Sequence, residues 1–418
     1  MKKLLLIFLI IIYSLFLFSC TAPDPNTITF MVGGAPNEIT FWESICTDFT
    51  NQTGIKINLI RQPTDSNERR QGLVIPLKAR KNDPDIFLMD IAWLAQFAAS
   101  NWLVDLNDHA IDTKPYFPKI IKFADTYKNQ LIALPVYLDS GLLYYRKDLL
   151  KNPPKTWAEL IEKGAVLQKK MQKNNPRFTA FVWQGAQYEG LICNFLEFCG
   201  SDGGILVKNK AIKINTPQNL KALKLMANLI HKHKLSPLST FTEMKEEEVR
   251  LKFQAGEALF ERNWPYAWAL HNSSSSKVKN KVGLASIPSF SGSSGSPTLG
   301  GWHIGISRYS DAKTNSIKFL KYITSKQVQK QFALKLGWNP SRQDIYDDPE
   351  IIANLPHFRA LKKSFSQARP RPNLPYYNLI SQILQKHINS ALSLRTTPGS
   401  ALKNAEIEAN KIAKRYED

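Results

Sequence analysis

The chain has 418 residues, 43% of them hydrophobic, which is too long for one ordinary core and enough to fill two or three. Its 55 lysines and arginines against 35 acidic residues give a formal net charge of +20, a balance that suggests an anionic partner. The basic residues are scattered between apolar ones along the whole length, with no basic arm and no aromatic-and-basic platform, so the charge reads as solvated surface and nucleic acid is not expected as a partner.

In chain order, Met1 to Cys20 carries two lysines, an apolar run from Leu4 to Phe18, and Ser19-Cys20. That run is shorter than the ~20 residues a spanning helix needs and fits the hydrophobic region of a secretory signal over 1–19. Leu17-Phe18-Ser19-Cys20 resembles the bacterial lipobox, which would make Cys20 the lipidated first residue of an exported protein and 20–27 its polar tether. An uncleaved anchor would leave the globular part on the same side of the membrane. Lipidation leaves Cys46, Cys193 and Cys199, an odd number without metal-ligand spacing; a Cys193–Cys199 bridge and buried thiols both remain open.

Ile28–Val32 alternates as a strand, Gly33-Gly34 break it, and Phe41, Ile45 and Phe49 fall at helical spacing before a second strand over 55–60. A helix over 69–80 and a strand IFLM ending at Asp90 continue the alternation, which predicts an α/β protein with a largely parallel sheet. Ligands of such sheets gather beyond the carboxyl ends of strands, where Asp90 sits, and Glu38 follows the first strand's glycine turn. The segment from Tyr127 to Tyr145 reads as two strands with a turn at Asn129-Gln130. Thr156 and Glu159 have the spacing of a capping box after a double proline. From Ala158 to Ala258 the pattern is mostly helical, Ser273–Ser276 and Ser289–Pro297 read as surface loops, and WHIGIS is a last strand before C-terminal helices. Ala401, Leu402, Ala405, Ala409, Ile412 and Tyr416 mark one face of the final helix.

Enzyme signatures are missing: no HExxH, no GxSxG, no phosphate loop and no dinucleotide glycine pattern. The seven histidines are dispersed; only His231 and His233 are close, on a lysine-rich and solvated face, so no metal or other cofactor is expected. Glu38, Asp90 and Asp139 have the chemistry for paired-carboxylate work on a glycoside. The same acids suit binding once Tyr137, Tyr145, Trp264 and Trp302 are set beside them. A sugar ring offers apolar C–H faces and a rim of hydroxyls, which flat aromatic rings and charge-assisted hydrogen bonds recognise.

LLYYRKDLLKNPPKTWAEL, FQAGEALFERNWPYAWAL and LGGWHIGIS, with PDIFLMDIAWLAQFA and RPNLPYY, resemble the family 1 extracellular solute-binding proteins of ABC importers, in the maltose and trehalose branch. The resemblance runs from about Ile28 to the last helix. It implies a type II periplasmic-binding-protein fold: two α/β lobes joined by a hinge, with the ligand in the cleft between them. Lobe 1 is expected over 28–138 plus 300–349 and lobe 2 over 139–299 plus 350–418, with crossings near 139–143, 300–306 and 349. Carried over motif by motif, the implied sugar contacts are Glu38, Arg70, Asp90, Tyr137, Asp139, Trp264, Gly301, Trp302 and Arg371. Arg69 is the alternative to Arg70, while Arg371 is preferred over Arg369 for its spacing to Pro-Tyr-Tyr.

The implied function is a non-enzymatic, lipid-anchored monomer of the cell envelope, on the outer side of the plasma membrane or in the periplasm. It would close over a disaccharide or short oligosaccharide and deliver it to the transmembrane permease subunits. The alternative is a secreted glycoside-active enzyme. Two departures accompany the resemblance: Asn129-Gln130 stands where Asn-Gly is usual, and the lysine excess leaves a sugar phosphate open. The second tyrosine of Tyr144-Tyr145 favours the trehalose type.

Overall fold

The computed structural model describes residues 26–417 apart from 209–210, 294, 356–357, 359–360, 362–364 and 366; Cys20 and the expected signal segment lie outside the described residues. Burial sets the strands. β1 (Thr27–Gly33) alternates half-buried and buried positions, so Ile28, Phe30 and Val32 enter a core. α1 (Pro36–Thr53), β2 (Lys56–Gln62), α2 (Ser66–Lys78), β3 (Ile86–Asp90) and α3 (Leu94–Ala99) follow. β3 is an apolar run buried at every position, as a strand covered on both faces must be.

β4 (Leu134–Ser140), β5 (Leu142–Arg146), α4 (Trp157–Met171), β6 (Thr179–Val182), α5 (Glu189–Gly200), α6 (Pro217–His231), α7 (Glu246–Gln254), β7 (Ala258–Asn263) and β8 (Val282–Ala285) form the middle of the chain. β9 (Leu299–Ile306), α8 (Lys313–Ile323), α9 (Lys326–Leu336), the two-residue β10 (Asn339–Pro340), α10 (Tyr377–Leu392) and α11 (Pro398–Glu417) complete it. The strands assemble into a six-stranded sheet, order β10-β4-β9-β3-β1-β2, and a four-stranded sheet, order β8-β5-β7-β6. Helices flank each sheet, giving two α/β lobes. In the first, rings from α1, α8 and α9 pack on β1: Phe30 meets Trp42 and Phe319 edge-on at 5.2 Å. In the second, Trp157 stacks on Phe198 at 3.9 Å, and Ile380, Leu384 and Ile388 of α10 share that core with Leu402 and Ala405 of α11.

Three chain passages join the lobes and bond to one another. The Gly141 amide donates to the Thr298 carbonyl at 3.3 Å, the Leu299 amide to the Arg369 carbonyl at 2.8 Å, and the Arg369 amide to the Pro297 carbonyl at 2.9 Å. The buried ion pair of Glu197 with Arg262 pins them, since Glu197 Oε1 also accepts from the Thr298 amide at 3.1 Å. A β-carbon on Gly141 would lie 1.9 Å from that carboxylate oxygen, so only glycine fits there.

The structure corrects several expectations. The first sheet is parallel at only two of its five pairings: β9 runs antiparallel to both β3 and β4, β10 runs antiparallel to β4, and residues 300–306 are strand rather than crossing. β6 and β7 lie in or directly after the stretch read as helical. The tight turn is centred on Lys128-Asn129, both left-handed (φ 48° and 67°) as a two-residue hairpin loop requires, one residue earlier than expected. Thr156 caps α4, but Glu159 accepts from the Lys155 amide instead of closing the box on Thr156. Ser289, expected on the surface, is fully buried and pairs with Lys155 through its backbone. His231 is half-buried, with its ring bonded to the Leu392 carbonyl at 2.7 Å, and Cys46, Cys193 and Cys199 are all free buried thiols.

Candidate binding cleft between the lobes

The cleft is built where strands end and helices begin. From the first lobe, the turn after β1 presents Gly34 and Ala35, the first turn of α1 presents Glu38, the loop after β2 and the start of α2 present Thr64, Ser66 and Arg69, and β3 ends on Asp90. β4 adds Tyr137 and Asp139, β9 adds Gly301 and Trp302, and Trp338 follows α9. From the second lobe come Glu189 and Cys193 of α5, Glu246 and Glu247 of α7, Trp264 and Tyr266 after β7, and Arg371 before α10. Together they line a cleft of about 800 Å³ counting the open solvent at its mouth.

Five indole or phenol rings line its walls: Tyr137, Trp264, Tyr266, Trp302 and Trp338. Tyr137 and Trp338 stack at 3.9 Å, Trp302 stands edge-on to Trp93 at 5.4 Å with the Arg69 guanidinium 3.4 Å over its ring, and Arg262 lies 3.9 Å over Trp264. Gly301 takes φ +141°, and a β-carbon there would meet the Tyr137 carbonyl at 2.7 Å, so the backbone before Trp302 tolerates no side chain.

The polar groups divide into bound and unbound ones. Arg371 bridges the lobes, 2.7 Å from Asp90 Oδ1 and 3.1 Å from Glu189 Oε1. Glu38 accepts from the Ala35 amide at 2.7 Å and from Trp338 Nε1 at 2.8 Å; burial outweighs these bonds and pushes its carboxyl up to about 7. Glu246 accepts from Trp264 Nε1 at 3.3 Å, and Glu247 accepts from the Tyr266 hydroxyl at 2.8 Å and pairs with Arg250. Asp139 makes no hydrogen bond among the described residues. Burial, then the charges of Glu38 and Asp90, push it up to about 8. Arg69 is buried with Nε and one terminal nitrogen unpartnered, and burial lowers its guanidinium to about 10. Asp139 and Arg69 are therefore free to bond something that enters, and Arg371 keeps its Nε unpartnered as well.

Of the residues expected from sequence, Glu38, Asp90, Tyr137, Asp139, Trp264, Gly301, Trp302 and Arg371 line this one cavity. Arg70 does not: its guanidinium turns away and donates to Gln96 Oε1 at 3.0 Å, while Arg69 faces the cleft. Adjacent positions on a helix point about 100° apart, so one of the two had to face elsewhere. Tyr145 also lies outside, on β5 opposite Gly283 and packed on the second lobe's core. Glu189, Glu246 and Glu247 escaped sequence reading because acids in a helix's first turn ordinarily complement the dipole. Trp338, just after the left-handed Gly337 that ends α9, carried a signal that the reading passed over.

The family described as bacterial extracellular solute-binding protein matches this chain over residues 34–330. A probable ABC transporter-binding protein of Deinococcus radiodurans is 34% identical over 376 residues, 87% of this chain and 88% of that protein. Among solved structures, maltose-bound MalE3 of T. maritima superposes with a TM-score of 0.87 at 36% identity, covering 92% of this chain and 99% of that one. A solute-binding protein of Thermotoga lettingae TMO bound with alpha-D-tagatose gives a TM-score of 0.84 at 27% identity, covering 93% and 99%.

Proposed function

Because the chain belongs to the bacterial extracellular solute-binding proteins and serves an ABC transporter, we propose that the solute it captures is a neutral disaccharide or short oligosaccharide of the maltose or trehalose type. Its relatives are binding components and not enzymes, and neither is this chain; the glycoside-active alternative falls with that. The observation that carries the reading is a cavity spanning both lobes in which aromatic walls stand beside one unbonded carboxyl, Asp139, and one unbonded guanidinium, Arg69. Such groups bond hydroxyls, and a ligand touching both lobes shifts the open–closed equilibrium toward closed. The lobes are divided in this reading where the three passages run side by side, near 141, 298 and 369, and not at the 139, 300 and 349 expected from sequence. The closed form, a monomer anchored through lipidated Cys20, then hands the sugar to the permease.

Charge argues for a neutral sugar over a phosphorylated one. Six carboxyl groups line the cavity (Glu38, Asp90, Asp139, Glu189, Glu246 and Glu247) against Arg69 and Arg371, and Arg371 is already paired twice. A phosphate would add negative charge to a buried acidic site. The test is a thermal-unfolding screen followed by calorimetry with maltose, trehalose, maltotriose, glucose and trehalose phosphate. A neutral di- or trisaccharide is expected to raise the melting temperature, since it binds the native state alone, and the phosphate to leave it unchanged. Stabilisation by the phosphate and by none of the neutral sugars would overturn the proposal.

A further inference from the structure

α10 is amphipathic in an unusual sense. Ile380, Leu384 and Ile388 fill the second lobe's core, yet a second buried stripe of the same helix is polar: Asn378, Ser381 and Gln385, at one-turn spacing. A buried amide needs partners, and here two of them belong to the other lobe. Asn378 Nδ2 donates at 2.8 Å to Gln96 Oε1 on α3, the same oxygen that takes the Arg70 guanidinium. Gln385 Oε1 accepts at 3.1 Å from Asn67 Nδ2 on α2. The stripe is also tied to the cavity wall: Gln385 Nε2 donates to Ser381 Oγ at 2.9 Å, and Ser381 donates to Glu189, whose other oxygen takes Arg371 and the Tyr377 hydroxyl.

We propose that this stripe is a clasp that closes the lobes on its own account: Asn378 to Gln96, which Arg70 holds from its own lobe, and Gln385 to Asn67 hold the closed form without touching the solute. Glu189 is the junction through which the clasp and the solute site move together. The proposal rests on the reading that the lobes part to admit a ligand. On opening, water satisfies these amides, so each bond contributes a modest net bias toward closure. That bias multiplies the affinity for any solute by the same factor, because only the closed fraction of the free protein is competent to hold it. Contacts to the solute, in contrast, weigh one sugar against another. Arg70 is thus a positioning residue for closure.

The experiment compares Asn67→Ala, Asn378→Ala and the double variant with the unaltered protein. It measures affinity for maltose and trehalose by calorimetry, and lobe separation without ligand by fluorescence transfer between one dye on each lobe. Each single change is expected to weaken both sugars by a common factor of about three to ten, to leave their ratio unchanged, and to lengthen the mean separation. Asn67 is half-buried in the first turn of α2, so Asn67→Ala keeps the test alive if Asn378→Ala does not fold. A changed ratio, or an unchanged separation, overturns the clasp. If no sugar on the panel binds while the separation lengthens, the sugar reading falls and the clasp stands.

Discussion

Asp139 shows what a single side chain contributes to the cleft. It is the cavity's unbonded carboxyl, and burial beside Glu38 and Asp90 pushes it from 3.8 to about 8. The native state therefore keeps a proton that the unfolded chain has released, and stability falls as pH rises from about 4 to about 8, levelling above. Asp139→Asn, which cannot ionise, should shrink the drop in melting temperature between pH 5 and pH 8; an undiminished drop in the ligand-free protein would show that the proton sits elsewhere. Glu38, pushed up to about 7, adds to the same slope over a narrower window. Asp139 was legible in sequence because an acid next to an apolar strand is out of place unless something answers it. The choice between Arg69 and Arg70 was not, because which of two neighbouring arginines faces the cleft depends on how α2 lies on the sheet, and no local pattern encodes that.

At the scale of elements, sequence exposed those whose burial is one-sided or continuous. β1 alternates and β3 is an unbroken apolar run, and both were readable within a residue or two. β6 was not, since its four residues, TAFV, follow a long helix and carry no period by which strand and helix can be told apart. β8, with Gly283 opposite Tyr145, gave as little, because the ring across the ladder fills the space that a side chain at Gly283 would need. The passages between lobes are equally cryptic, for they are held by backbone bonds and by Glu197 reaching from α5. Gly141 is the most sensitive point in them. Gly141→Ala should cost about 1–3 kcal/mol by driving a methyl into the Glu197–Arg262 pair. Urea unfolding measures this, and a loss within error of zero would mean that the passage has room to shift.

Over the whole molecule, the family resemblance supplied what periodicity could not: the type II periplasmic-binding-protein fold, with two lobes and one cleft. The proposed anchoring belongs to this scale as well. Cys20→Ser should move the protein from the membrane fraction to the soluble envelope fraction and abolish incorporation of labelled fatty acid; retention with the membrane would point to the uncleaved leader instead.

The strand order of the first lobe has one more consequence, for the time at which the chain can fold. β9 lies between β3 and β4, so β4 finds its neighbours only in residues 299–306 and 339–340. A ribosome must therefore finish nearly three quarters of the polypeptide before the first lobe's central ladder can form. Pairing over such sequence separations is slow. The first lobe's sheet thus stays split into two unjoined halves until most of the polypeptide has been made.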